Sequence, residues 1–134
     1  TINMNTKLNK ILAEISAGEL IDKITILEIK KAKIVDKDKL IEIEKELFSL
    51  NETMKKFIPD HSKISKFKNN LKEINLKLWD IEDGKRSAEK NNEFGEKFIE
   101  LARKVYKFND ERAKIKLAIN NALGSNIKEV KSYE

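Results

Sequence analysis

The chain has 134 residues, 40% hydrophobic and 38% charged, with four Gly, one Pro, no Cys and a formal net charge of +5. That length supports one domain burying about two thirds of its unfolded surface, and so few turn residues exclude an all-β sandwich or barrel. Without Cys there is no disulfide framework or thiolate metal site, and no apolar run approaches the roughly 18 residues of a membrane span.

Residues 1–15 ("TINMNTKLNKILAEI") are weakly patterned, with no secretory n-region and h-region pair, so a cytoplasmic protein is expected. Ser16 and Glu19 form an S-x-x-E capping box ahead of an apolar-periodic run, which predicts a first helix to about Val35. "DKDK" at 36–39 breaks it and offers Asp36 or Asp38 as the next cap. A second helix is predicted over about 39–57, ended by Pro59, with "PDHSK" as a loop. A third runs from about Ser62 to Glu89 with a bend allowed at Gly84, and a fourth from about Glu93 to Leu123, closed by Gly124 at C′. The fold class expected is all-α, a four-helix antiparallel bundle-like domain over 16–124 with a tail at 125–134.

Projected at 100° per residue, the second helix is simple: Leu40, Ile43, Leu47, Leu50, Met54 and Phe57 form one stripe. That stripe is either a packed seam or a homodimer contact through residues 39–57. The first helix has an apolar arc of Leu20, Ile21, Ile24, Leu27, Ala32 and Val35, with Glu19, Asp22, Lys23, Lys30 and Lys33 opposite. Glu28 falls inside the arc. Ile26 and Ile29 lie on its flank or far side, which allows the helix to be covered on more than one face.

The third helix places Asn75, Glu82, Arg86 and Glu89 on the arc of Ile64, Phe67, Leu71, Ile74, Leu78 and Ile81, with Trp79 at its edge. Glu82 and Arg86, four apart, are able to pair. The fourth helix places Asn109, Arg112, Lys116 and Asn120 within the arc of Phe94, Phe98, Leu101, Val105, Phe108, Ile119 and Leu123. Arg103 and Asp110 sit together on its flank. A buried unpaired charge is very costly, so these groups must pair, meet water or bind something.

The resulting expectation is an internal polar layer of Glu28, Asn75, Glu82, Arg86, Asn109, Arg112 and Lys116. Three readings are open: a self-satisfied ionic network fixing helix register, a ligand cavity, or a polar face covered by a partner. In the cavity reading Arg86, Arg112, Lys116, Asn109 and Asn75 bind a small anionic or sugar-derived ligand, and Glu28 or Glu82 is the acid/base candidate. Only three of the 28 basic residues are Arg (Arg86, Arg103 and Arg112), which singles out positions where a planar, bidentate donor matters.

Other chemistry is poorly supported. His61 is the only histidine and lies in a predicted loop, so neither a zinc site nor a His-based triad is expected. Glu-x-x-His pairs, EF-hand loops, P-loops and dinucleotide glycine patterns are absent, and neither a metal nor a cofactor is expected. Residues 55–72 hold six Lys against one Asp, with Phe57 and Phe67 interleaved. A solvated lysine-rich face explains this better than a nucleic-acid or membrane-surface patch does, and scarce Arg argues against base readout.

"SAGELIDKITILEIK", "NLKLWDIED", "FIELARKVYKFNDERAKIK" and the closing "KSY" resemble a bacterial domain family of unknown function. Its members carry GELIDKLTILEIK-like, LW-IED-R, ARxVYxxNDERAxIK and EKSY-like segments, and the resemblance spans about residues 15–133. Here the ending is "EVKSY" and Gly84-Lys85 precede Arg86. The resemblance implies no activity. It implies an association with glycosyltransferases and surface-polysaccharide functions, so a glycosyltransferase accessory module stands beside the ligand-site reading.

Overall fold

The computed structural model describes residues 8–132, and the fold is all-α. Four helices follow in order: α1 (Ala17–Lys33), α2 (Lys37–Phe57), α3 (Ser65–Lys90) and α4 (Glu96–Leu123). Their ends obey local chemistry. Ser16 Oγ accepts the Glu19 N–H at 3.1 Å, and Asp36 Oδ1 accepts the N–H groups of Asp38 and Lys39. Asp36, not Asp38, is therefore the second cap. Gly124 ends α4 at φ 62°, the left-handed conformation that glycine adopts without Cβ strain.

α1 is the hub of the bundle. It packs against α2, α3 and α4, and α3 packs along α4, whereas α2 packs on α1 alone. The main core gathers Leu20, Ile21 and Ile24 of α1, Met54 of α2, Leu71 of α3 and Ile119 of α4. Ile58 and Ile64, either side of the "PDHSK" connection, close it. Burial of these aliphatic chains is the main force holding the helices together.

Several sequence expectations need correction. Val35 lies beyond α1 and is 89% exposed, and Ala32 is exposed too. Phe57, assigned to the α2 seam, is 70% exposed because α2 ends there and Ile58 takes the core position. α3 runs unbroken through Gly84; a Cβ there would lie 3.2 Å from Leu101 Cδ1, so the glycine lets α3 and α4 approach closely.

The most consequential correction concerns α1. Asp22, placed by the wheel on the solvent face, is fully buried, while Glu28, placed inside the apolar arc, is only partly so. Buried positions Leu20, Ile21, Asp22, Ile24, Thr25, Leu27 and Ile29 cover roughly 220° of the helix circumference at 100° per residue. The outward face is confined to the remaining arc of roughly 140°, around Lys23 and Lys33.

Candidate functional site

The polar residues fall into two connected parts, a buried network and an open cleft. The network centres on Asp22. Its Oδ1 accepts Arg112 Nε at 2.9 Å and Asn75 Nδ2 at 2.9 Å, and its Oδ2 accepts Arg112 Nη2. The guanidinium thus grips the carboxylate through two nitrogens, a geometry lysine cannot reproduce. Thr25 donates its hydroxyl to the Asp22 carbonyl at 2.8 Å and accepts Asn75 Nδ2 at 3.0 Å. Among the described residues, no buried side-chain nitrogen or oxygen lacks a partner.

Lys116 extends the network toward the start of α1 and the segment after α4. Its ammonium donates to Glu19 Oε2 at 2.6 Å, lies 3.8 Å from Asp22 Oδ2 and reaches Glu129 Oε2 at 3.3 Å. Glu19 therefore bonds Lys116 and sits near Lys23 instead of folding back to complete its capping box. Asn120 Oδ1 accepts the Gly18 N–H at 2.6 Å, and Ser125 Oγ accepts the Ala17 N–H at 3.1 Å, so α4 and its exit supply acceptors for free donors of α1. Gly18 is required for that approach: a Cβ there would lie 2.5 Å from the Lys116 carbonyl oxygen.

Burial would push the Asp22 carboxyl up. The hydrogen bonds from Arg112 and Asn75 and the charges of Arg112 and Lys116 outweigh it, and the group titrates below its ordinary value. Lys116 behaves in mirror image: burial disfavours its charge, but the Glu19 hydrogen bond and the Asp22, Glu19 and Glu129 charges raise its pKa.

The cleft opens beside this network, between α1, α3 and α4, and encloses about 360 Å³. Asn75, Glu82, Arg86, Asn109 and Arg112 line it, five of the seven residues expected in the polar layer. Ile26, Ile29, Leu78 and Trp79 form its apolar walls, and Asp83 adds a second carboxylate. Arg112 belongs to both parts: Nε and Nη2 face Asp22, while Nη1 lies 3.4 Å from Asn109 Oδ1. Arg86 is exposed and makes no ion pair among the described residues. Glu82 pairs with Lys85 at 3.7 Å, not with Arg86.

Glu28 and Lys116 do not line the cleft. Glu28 faces Lys68 at 3.5 Å and Lys72 at 3.6 Å in a partly exposed ion pair. Lys116 lines a separate groove between α4 and residues 128–131, which Asp110 shares, while Arg103 and Glu89 are exposed. Among the described residues no group of three or more His, Cys, Asp or Glu side chains could hold a metal, and no helix is long and apolar enough to cross a membrane. His61 is exposed, with its carbonyl accepting the Ile64 and Ser65 N–H groups.

Sequence reasoning missed Asp22, Thr25 and the Gly18–Asn120 contact. A signal for the first two was present: Ile29, seven residues after Asp22 and four after Thr25, shares their side of α1.

A family model described as a family of unknown function (DUF6165) matches residues 11–134. The chain belongs to that family. No curated protein and no solved structure matches it. Membership covers both the Asp22 network and the cleft, and it assigns neither an activity.

Proposed function

We propose that the cleft between α1, α3 and α4 binds a small sugar-derived ligand carrying an acid group. One observation carries the reading: a volume of about 360 Å³ is lined at once by an indole, two guanidinium groups, two carboxylates and two carboxamides. That is within the size range of small-ligand sites, and a few convergent polar groups on apolar walls are their usual construction. Trp79 offers a face for a sugar ring, and Asn75, Asn109, Glu82 and Asp83 offer partners for hydroxyl groups. Arg86 and Arg112 Nη1 are the partners for phosphate or carboxylate. Asp22 holds Arg112 in place before any ligand arrives, which lowers the ordering cost of binding. If the site is catalytic, Glu82 is the acid/base candidate, because Glu28 faces Lys68 and Lys72 outside the cleft. A sugar acid or sugar phosphate also fits the surface-polysaccharide setting implied by the sequence resemblance.

The test is a thermal-shift screen of sugar phosphates and sugar carboxylates on the native chain and on Arg86→Ala. Arg86 serves better than Arg112, because its exposure predicts an unchanged fold. Selective stabilisation that Arg86→Ala loses is the expected result. A screen in which no compound stabilises the native chain, or in which the variant responds equally, rejects the reading.

A second reading is a homodimer through α2. It is supported by Ile41 and Phe48, seven residues apart on one helical stripe and 62% and 69% exposed, on a helix packed only against α1. Sedimentation equilibrium of the native chain and Phe48→Lys separates it from a monomer.

A further inference from the structure

At one end of the molecule, away from the cleft, apolar side chains crowd the surface. Leu8, Ile11 and Leu12 are 78–87% exposed, and Phe57 is 70% exposed. Leu12, Ile15 and Phe57 converge on a groove of about 860 Å³, whose floor includes Ile58, Pro59 and Leu123. Apolar surface concentrated in this way marks a contact site.

The charge at this end is mixed, with lysine in excess. Lys56 Nζ sits 5.3 Å from the centre of the Phe57 ring, Lys63 lines the groove, and Lys10 and Lys66 are exposed. None of these four lysines enters an ion pair among the described residues, whereas Lys55 is matched by Glu52 and Lys68 and Lys72 by Glu28. Two acids also line the groove, each hydrogen-bonded to neutral groups: Glu14 accepts Asn126 Nδ2 at 2.8 Å, and Asp60 accepts the Ser62 N–H and hydroxyl.

We propose that this end, built from residues 8–15 and the connection between α2 and α3, docks on an anionic membrane surface. Leu8, Ile11, Leu12 and Phe57 enter the boundary between headgroups and acyl chains. Lys10, Lys56, Lys63 and Lys66 keep their ammonium groups among the lipid phosphates, their methylene stems lying along the apolar layer. Nucleic acid fits less well, because among these apolar side chains Phe57 alone offers a face for stacking bases and the cations are lysine, not arginine. A second copy fits less well too, since joining two such ends would appose the lysine excess of both.

Co-sedimentation of the full chain tests this. Vesicles of phosphatidylcholine alone are compared with vesicles of equal parts phosphatidylcholine and phosphatidylglycerol, at low and high salt. Binding is expected only to the anionic vesicles, weakening with salt. Each lysine near the surface contributes about fivefold, so Lys56→Ala with Lys63→Ala lowers affinity by roughly 25-fold. Leu12→Ser with Phe57→Ser alters only exposed chains, so its circular dichroism should match the native protein while vesicle binding drops at least about tenfold. Arg86→Ala leaves vesicle binding unchanged, which keeps this proposal separate from the cleft.

Absence of binding to anionic vesicles, equal binding to neutral ones, or unaltered binding by either double variant overturns the proposal. So does a dimer that Leu12→Ser with Phe57→Ser dissolves, or a preference for RNA over the vesicles.

Discussion

Replacing Arg112 with Met isolates what the buried ion pair does. Asp22 is fully buried, and Arg112 contributes two of the three side-chain hydrogen bonds to its carboxylate. In Arg112→Met only Asn75 and a lysine nitrogen 3.8 Å away remain to balance that charge. Breaking a buried pair from one side costs about 3–5 kcal/mol. The Arg112 side chain is 28% exposed, so water reaches the gap and the low end, about 3 kcal/mol, is expected. With a urea slope of about 1.5 kcal/mol per M, the unfolding midpoint falls by about 2 M. Asp22→Leu combined with Arg112→Met removes both charges and should be less destabilised than the sum of the single variants by at least about 2 kcal/mol. Chemical denaturation followed by Trp79 fluorescence measures all four corners of the cycle. A loss below about 1 kcal/mol in Arg112→Met, or additive single effects, would refute the central role given to this pair.

Three further outcomes follow from the same geometry. Because the Asp22 carboxyl titrates below its ordinary 3.8, the unfolded chain takes up that proton first as pH falls. The pair's contribution is therefore complete above the ordinary value and is lost as pH drops through the folded one; unfolding curves from pH 6 downward should be less steep in pH for Asp22→Asn than for the native chain. Gly18→Ala drives a methyl group to 2.5 Å from a backbone oxygen of α4, and calorimetry should show a loss of about 1–3 kcal/mol despite alanine's better helix propensity. Glu28→Gln disrupts only partly exposed pairs with Lys68 and Lys72 and should cost less than about 1 kcal/mol in the same urea assay. A loss matching that of Arg112→Met would instead restore Glu28 to the centre of the polar cluster.

Much of the architecture was legible along the chain, because helix ends are governed by residues a few positions apart. Ser16, Asp36 and Gly124 act through bonds to atoms within four residues of themselves, and each terminates its helix where the sequence places it. The fourth-helix polar set is also local in origin: Asn109, Arg112 and Lys116 are three or four residues apart, so one helix face must carry them all. That they meet polar partners follows from the cost of burying them alone.

Partnership itself was not legible. A wheel fixes angles around one helix axis, but it does not say how many neighbours surround that axis. α1 is packed against three helices, so the side of it that carries Asp22 is interior as well, and Asp22 is buried there by Arg112 and Asn75 from α4 and α3. Glu28, at the angle the wheel favoured, meets lysines and water because Lys68 and Lys72 of α3 reach it at a partly open edge. The division of the inward residues into a closed network and an open cleft is equally a tertiary outcome. It depends on Arg112 turning Nε and Nη2 toward α1 while Nη1 faces Asn109, and on Gly18 letting α1 approach the backbone of α4. Sequence alone determined that polar groups on three helices would need partners. Only the packing of those helices decided which acid took the buried arginine and which groups were left facing a cleft.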